Sequence, residues 1–526
     1  VPGALTPAAA AALRAAPRVA INGPRVEGSI SLLGARLDEV VLRNYRETID
    51  PKSPLVRLLE PLGGAQPYFV QFGWSAPAGS TVKLPDSTTL WSASAPALTA
   101  TTPVTLSWDN GQGQIFHIIL SVDENYMFSV QQRVENHGAA PVAVYPWSRI
   151  SRDYTPEVLG TYILHEGMVG VLGDRLQEVK YATAKSDAAK NGGVAYTHTG
   201  AGGWAGITDK YWLAALVPDQ KVATTTAFRY ANVGGDSYQV YAVTQEPETI
   251  APGAQAGLDS RVFAGAKEVH LLDHYETSLG ITRFSYAVDW GWFFFITKPF
   301  FYAIDWLNKL IGNFGVAIMV FTVFVKLLFF PLANKSYRSM SKMKLLGPKI
   351  TALREQYKDD TAKQQQAMMA LYKAEKVNPA SGCLPMVIQI PVFFSLYKVI
   401  YTTIEMRQAP FFGWIHDLSA IDPTNIFNAF GLLPFDPTVI SPFLHLGAWP
   451  LIMGLTMFFQ QKLNPPPPDP VQARMFQFMP VIFTFMLARF PAGLVIYWSW
   501  NNTLTIAQQW LIMRQTRLAK PGMARA

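Results

Sequence analysis

The stretch FTVFVKLLFFPL, residues 321–332, decides how the second half of this chain is read. It is a run of membrane-helix residues with one charge, Lys326, set inside it. An ammonium at mid-helix costs about 2.5 to 3.5 kcal/mol on insertion scales, so it turns toward protein, water or the headgroup boundary. Thr322 lies four residues earlier and shares its helix face. Two readings compete. Either Lys326 snorkels to the headgroups from near a helix end, or it is the charged centre of a polar recess.

Working outward, apolar segments lie at about 313–332, 384–404, 443–461 and 475–513. A span takes about 20 residues. The first three are single spans, and the fourth is divided by ARFPAG at 488–493, which gives five spanning helices in a core at 311–515. Ahead of them, WGWFFFITKPFFYAIDWLNKLIG mixes aromatic residues with occasional charges. It reads as an interfacial amphipathic helix within 286–310. Residues 332–380 hold ten Lys and Arg against four acids, the tail from Arg514 holds four and no acid, and 405–442 holds one Arg and four acids. By the positive-inside rule the basic segments are cytoplasmic and the acidic loop is outside. The segment at 333–377 reads as a cytoplasmic helical hairpin broken near KDDT, either simply solvated or a docking surface whose methionines suit adaptable contact. The last residues, 516–526, read as a basic cytoplasmic tail.

Residues 1–285 carry 22 Lys and Arg against 26 Asp and Glu, whereas 286–526 carry 22 against 11, so the two halves face different surroundings. Residues 1–17 are rich in Ala and Pro and read as a tether; the text opens at Val1 with neither Met nor an export signal, which reads as a shortened or processed start. Over 18–285, runs such as FHIILSVD and YMFSVQQRVEN alternate with period two between turn residues. That pattern predicts a large antiparallel β-sandwich, placed outside by the alternation of five spans.

Chemistry is sparse. The lone cysteine, Cys383, excludes an internal disulfide, and no clustered Cys/His zinc pattern exists. His270 and His274 have the spacing of a helical metal pair, but EVHLLDHYETS reads as a strand, in which they would stand about 13 Å apart. No metal or cofactor is expected. GAGGW and NVGGD read as turns, since neither sits in a strand-to-helix phosphate context.

The remaining polarity lies inside apolar segments. Gln389 sits between Pro385 and Pro391, and LVIYWSWNNTLTIAQQW carries Tyr497, Asn501 and Gln508 on one face with Trp498, Asn502, Thr505 and Gln509 beside it. Such groups need partners or water. A shared recess with Lys326 as its sole positive centre satisfies them together.

KAEKVNPASGCLPMVIQIPVFFSLY (373–397), EMRQAPFFGWIHDLSAIDP (405–423) and FMPVIFTFMLARFPAGLVIYW (478–498) closely resemble the YidC membrane protein insertases of bacteria. The likeness runs through about 285–515, and ISLLGARLDEVVLRNYRETIDP extends it more loosely to the family's periplasmic domain; the family's first membrane helix has no counterpart in the text. The resemblance implies five core helices in the inner membrane around a groove open to cytoplasm and lipid. It places the family's groove arginine on Lys326 and its polar companions on Thr322, Gln389 and Trp498. Lysine keeps the charge and loses the bidentate fork. The expected function is insertion of nascent transmembrane segments, without covalent chemistry. Expected partners are nascent membrane proteins and the lipid bilayer, with the ribosome and Sec translocon as candidates and no DNA. A transporter using Lys326 would need two-sided access and repeated halves; a lipid enzyme would need a nucleophile and base or a metal cluster, and His416 and His445 have no evident catalytic partner.

Overall fold

The strand Gln114–Val122 buries every second side chain along its whole length and pairs antiparallel with Met127–Asn136. Repetition of this pattern builds two large sheets, of eleven and nine strands. The computed structural model describes residues 13–518 apart from 14, 159–163, 233, 359, 376–383, 442–443 and 464–469. Most of the tether at 1–17, Cys383 and most of the tail at 516–526 therefore lie outside the described residues. The chain forms two compact units, the first of Val1–Asp289 with Thr402–Ile404 and the second of Trp290–Tyr401 with Glu405–Ala526.

In the N-terminal unit the sheets pack face to face. Trp74 of one meets Phe116 of the other edge-on at 5.1 Å, and the Tyr68 hydroxyl donates to the Ile207 carbonyl at 3.2 Å. Pairing is antiparallel except where Arg18–Asn22 runs parallel to Ala97–Thr99. The sheets are accompanied by the helices α1, Tyr181–Lys190, and α2, Val269–Ser278.

α2 corrects the strand expected for EVHLLDHYETS. Val269, Leu272 and Tyr275 recur every three residues and are buried, which is a helical period. His270 and His274 therefore share a helical spacing, on the exposed side. Among the described residues no group of three or more His, Cys, Asp or Glu is placed to hold a metal ion. Glu268, at the helix start, makes no side-chain cap because its carboxylate is occupied: Arg25 and the Tyr45 hydroxyl (2.6 Å) both donate to it. Burial, followed by the Glu268 charge, holds the Tyr45 phenol far above its ordinary range.

The C-terminal unit is helical. α3 spans Phe294–Ile311, and α4 spans Phe314–Leu328 with its N-terminus capped by the Asn313 side chain. At Phe329 the chain bends by 67° into α5, Phe330–Leu345, where Pro331 in the first turn cannot continue the α4 hydrogen-bond ladder. The segment read as two helices with a break near KDDT holds α5, then α6, Gly347–Gln356, and α7, Thr361–Ala374. The additional break falls at Leu346, before Pro348. α7 lies against α6 through Lys349 and Glu375 (2.7 Å) and through Gln364, which donates to the Arg354 carbonyl (3.2 Å).

Four apolar helices complete the unit: α8, Leu384–Thr402; α9, Ala448–Leu463; α10, Pro470–Leu487; and α11, Ala492–Leu518. Met453, Leu487 and Val495 form a shared core of α9, α10 and α11. Gly454 of α9 faces Thr484 so closely that an added methyl would meet its hydroxyl. Trp500 donates to the Met319 carbonyl at 3.0 Å, and Asn502 to the Thr456 hydroxyl at 3.3 Å, tying α11 to α4 and α9. Among the described residues no single helix is both long and apolar enough to cross a membrane, whereas α4 and α5 together meet both conditions as a bent pair.

Candidate functional site

Lys326 occupies the last turn of α4, where a cation is favoured by the helix dipole, just ahead of the bend. Its ammonium donates to the Thr505 hydroxyl of α11 at 2.9 Å and to Gln389 Oε1 of α8 at 3.4 Å. Gln389 Nε2 in turn donates to the Tyr497 hydroxyl at 3.1 Å. One chain of polar groups thus links three helices. It opens on a recess of about 40 Å³ lined by Val325, Lys326, Phe329, Tyr337, Gln389 and Gln508, among others. At about 10–15 Å³ per site, that is room for about three waters.

The expected residues divide. Lys326, Gln389 and Tyr497 come together. Asn501 lies one turn beyond Tyr497, and its carbonyl accepts from Thr505 at 2.7 Å. Its own Oδ1 is buried without a partner among the described residues, as is Gln508 Nε2. Thr322 is buried and turns its hydroxyl back to the Ile318 carbonyl at 2.7 Å; it does not line the recess. Trp498 packs instead against Phe393 at 4.6 Å and Phe483 at 6.2 Å.

Thr505 and Gln508, of the polar stripe of the last helix, both reach the recess, Thr505 through its bond to Lys326 and Gln508 in the lining. Their spacing from Tyr497 and Asn501, by fours and threes, is the signal that selects them. Tyr337 gave no such signal, because it reaches the recess only through the bend at Phe329. His445, one of the two histidines weighed for enzymatic chemistry, donates to the Asp422 carbonyl at 2.9 Å.

A lysine held by neutral groups, in a helical unit with many large apolar side chains exposed, is the kind of site a membrane protein with a polar recess carries. Two family profiles divide the chain between them: the one described as "60Kd inner membrane protein" matches residues 306–520, and "YidC periplasmic domain" matches 18–303. The membrane protein insertase YidC of Granulibacter bethesdensis is 62% identical over 509 residues, covering 97% of this chain and 88% of that protein. That of Acidiphilium cryptum is 57% identical over 524 residues, covering 98% and 87%. A solved structure of an active YidC insertase with its first transmembrane domain resolved is 19% identical, covers 93% of this chain and 92% of its own, and superposes with a TM-score of 0.37. The chain belongs to the YidC family of membrane protein insertases. Its work is therefore placement of nascent membrane proteins in lipid, a function without covalent catalysis.

Proposed function

We propose that the recess around Lys326 receives the polar end of a nascent segment during insertion. One observation supports this above the others: both described hydrogen bonds of Lys326 go to neutral oxygens, and no acid among the described residues lines the recess. An ammonium has three donors, so one remains for an incoming carboxylate. Water in the recess shortens the roughly 30 Å apolar path that a polar tail must cross, and the lower dielectric around it strengthens the attraction. Apolar residues of the substrate then pass into lipid along α8 and α10, whose Phe394, Phe478 and Phe485 are exposed.

In this reading α4 with the start of α5, α8, α9, α10 and α11 are the five spans. α6 and α7 form a cytoplasmic hairpin, the β unit is periplasmic and the C-terminus is cytoplasmic. α3, with Trp306 and Leu310 exposed, lies in the interface. α6 and α7 bury no described side chain, which suits capture of a ribosome-borne chain or of the Sec translocon. At the opposite end, Ala409, Ile415 and Leu418 pack on Ala492 and Ile496 of α11, and the Ala492 and Gly493 amides donate to the Ala420 and Leu418 carbonyls. That closure favours a one-sided groove over a transporter path.

The test is a crosslinking scan with stalled nascent chains. Photoreactive residues at Gln389 and Gln508 should capture the acidic tail of the chain, and one at Thr322 should not. Equal capture at all three positions would reject the assignment.

A further inference from the structure

The loop between α8 and α9 inverts the usual arrangement of a surface loop. Its polar groups are gathered at the base, and its apolar side chains point outward. At the base, Asp422 is buried. It accepts from Trp414 Nε1 (3.1 Å), from the Thr424 hydroxyl (2.7 Å) and from the Trp449 amide (2.9 Å). Asn425, also buried, donates to the Leu444 carbonyl at 2.7 Å, and the Ile426 amide donates to the Leu446 carbonyl at 2.9 Å. These bonds clamp residues 422–426 to 444–449, at the start of α9.

Beyond the clamp, IFNAFGLLPFDPTVI, residues 426–440, contains no Lys or Arg and one acid, Asp436. Leu432, Val439 and Ile440 are 85%, 84% and 77% exposed, and Phe430 and Phe435 are exposed beside them. Isolated exposed apolar residues are ordinary, but a contiguous set marks an interaction surface. The backbone of this tip is closed on itself. The Phe430 amide donates to the Asn425 carbonyl (2.8 Å), Leu433 to the Asn428 carbonyl (3.1 Å), and the Asn428 side chain to the Phe435 carbonyl (3.3 Å). Ala429 and Phe430 hold left-handed φ of 53° and 58°, a conformation that bulky residues rarely adopt and that persists only where its surroundings enforce it.

We infer that residues 426–440 form a lipid anchor, seated in the interfacial layer of the leaflet at the outer end of the helical unit. Two features select lipid over a protein partner. Most of the segment's backbone amides are bonded within the loop, which lowers the cost of entering a water-poor layer. The surface also continues from α9, where Ile452, Leu455 and Phe459 are exposed. The anchor would fix the depth of α9 and of the loop that closes the recess from outside. This inference rests on the proposed topology, in which the α8–α9 loop is periplasmic.

The test uses the full chain with Cys383→Ser, carrying single cysteines at Leu432, Ile440 or, as a control below the tip, Ser419. Each is labelled with an environment-sensitive fluorophore after reconstitution into vesicles of zwitterionic and anionic phospholipid. Spin-labelled lipids then report depth. An interfacial segment sits about 5–10 Å into the headgroup and acyl boundary, so labels at 432 and 440 should emit to the blue and be quenched most by a spin label near the headgroup end of the acyl chain. The label at 419 should be quenched at least about twofold less, being outside that layer. Polar emission at 432 and 440 would overturn the anchor. Blue emission without lipid quenching would overturn it too, by showing a protein occupant such as a second copy. A membrane-impermeant thiol reagent reads the side on which the 419 cysteine lies; reaction from inside only would overturn the topology, whereas the depth readout judges the anchor separately.

Discussion

The Lys326 ammonium and the Thr505 hydroxyl stand 2.9 Å apart, joining α4 to α11 at the edge of the recess. The same hydroxyl donates to the Asn501 carbonyl one turn back, so its lone pairs are turned to the ammonium. Thr505→Val keeps the shape and removes the acceptor. A hydrogen bond to a charged group contributes about 1.5–3 kcal/mol, so insertion of an acidic-tailed substrate should fall by roughly tenfold, and Thr505→Ser should restore it. In a Lys326→Met background the valine should have little further effect, because the pair acts as a unit. Additive losses in reconstituted insertion would show that Thr505 acts elsewhere.

Charge at position 326 is the next variable. If Lys326 acts as a point charge, Lys326→Arg retains insertion, Lys326→Ala lowers it and Lys326→Glu lowers it most. At an effective dielectric near 20, like charges about 4 Å apart repel by about 4 kcal/mol, enough to stop an acidic tail at the recess. Equal insertion by all four forms would remove the charge from the mechanism.

Helix packing offers a test independent of charge. Gly454 lets α9 approach Thr484 of α10 without intervening atoms, as small residues do between membrane helices. Gly454→Leu should destabilise the helical unit by about 1–3 kcal/mol, the cost of overpacking. In detergent this appears as a lower unfolding temperature. Thr484→Ala should recover part of it, since the nearest atom to the added carbon is the Thr484 hydroxyl.

In the β unit, His165 is buried and its Nε2–H donates to the Met168 carbonyl at 2.9 Å. Burial pushes its pKa down to about 4. The unfolded chain therefore binds a proton between about pH 6.5 and 4 that the folded unit refuses, so stability rises with pH across that window. The contribution is fully present above the ordinary histidine range and is lost as pH falls toward 4, by about 3 kcal/mol in all. Amide exchange in Gly167–Leu172 should accelerate on acidification relative to His165→Gln at each pH. Parallel profiles for the two proteins would contradict this.

The fold was legible where one physical pattern dominated. Period-two alternation announced the strands, as at Gln114–Val122, and ARFPAG announced the break between α10 and α11. It was illegible where a short segment served two patterns. VHLLDHYETS is apolar enough for a strand, and only the spacing of Val269, Leu272 and Tyr275 marks a helix. In the site, residue type and spacing brought out Lys326, Gln389 and Tyr497. They could not show that Thr322 satisfies its hydroxyl within its own helix, or that the bend at Phe329 returns Tyr337 to the recess.

Those differences sharpen the test of a one-sided groove. In a Cys383→Ser background, single cysteines at 326, 389 and 508 line the recess, and one at 322 lies outside it, packed in the core of the bundle. A thiol reacts as its thiolate, so modification by a membrane-impermeant reagent requires both access and water. The groove predicts reaction at 326, 389 and 508 from the cytoplasmic face only and slow reaction at 322 from either. A transporter path would expose the three from both faces, because the packing of Ile415 and Leu418 on Ala492 would have to open in its cycle. A lysine that merely snorkels in a dry bundle would leave 389 and 508 unreactive. Reaction from the periplasmic face at those two positions would overturn the assignment of Lys326 as the charged floor of a cytoplasm-facing groove.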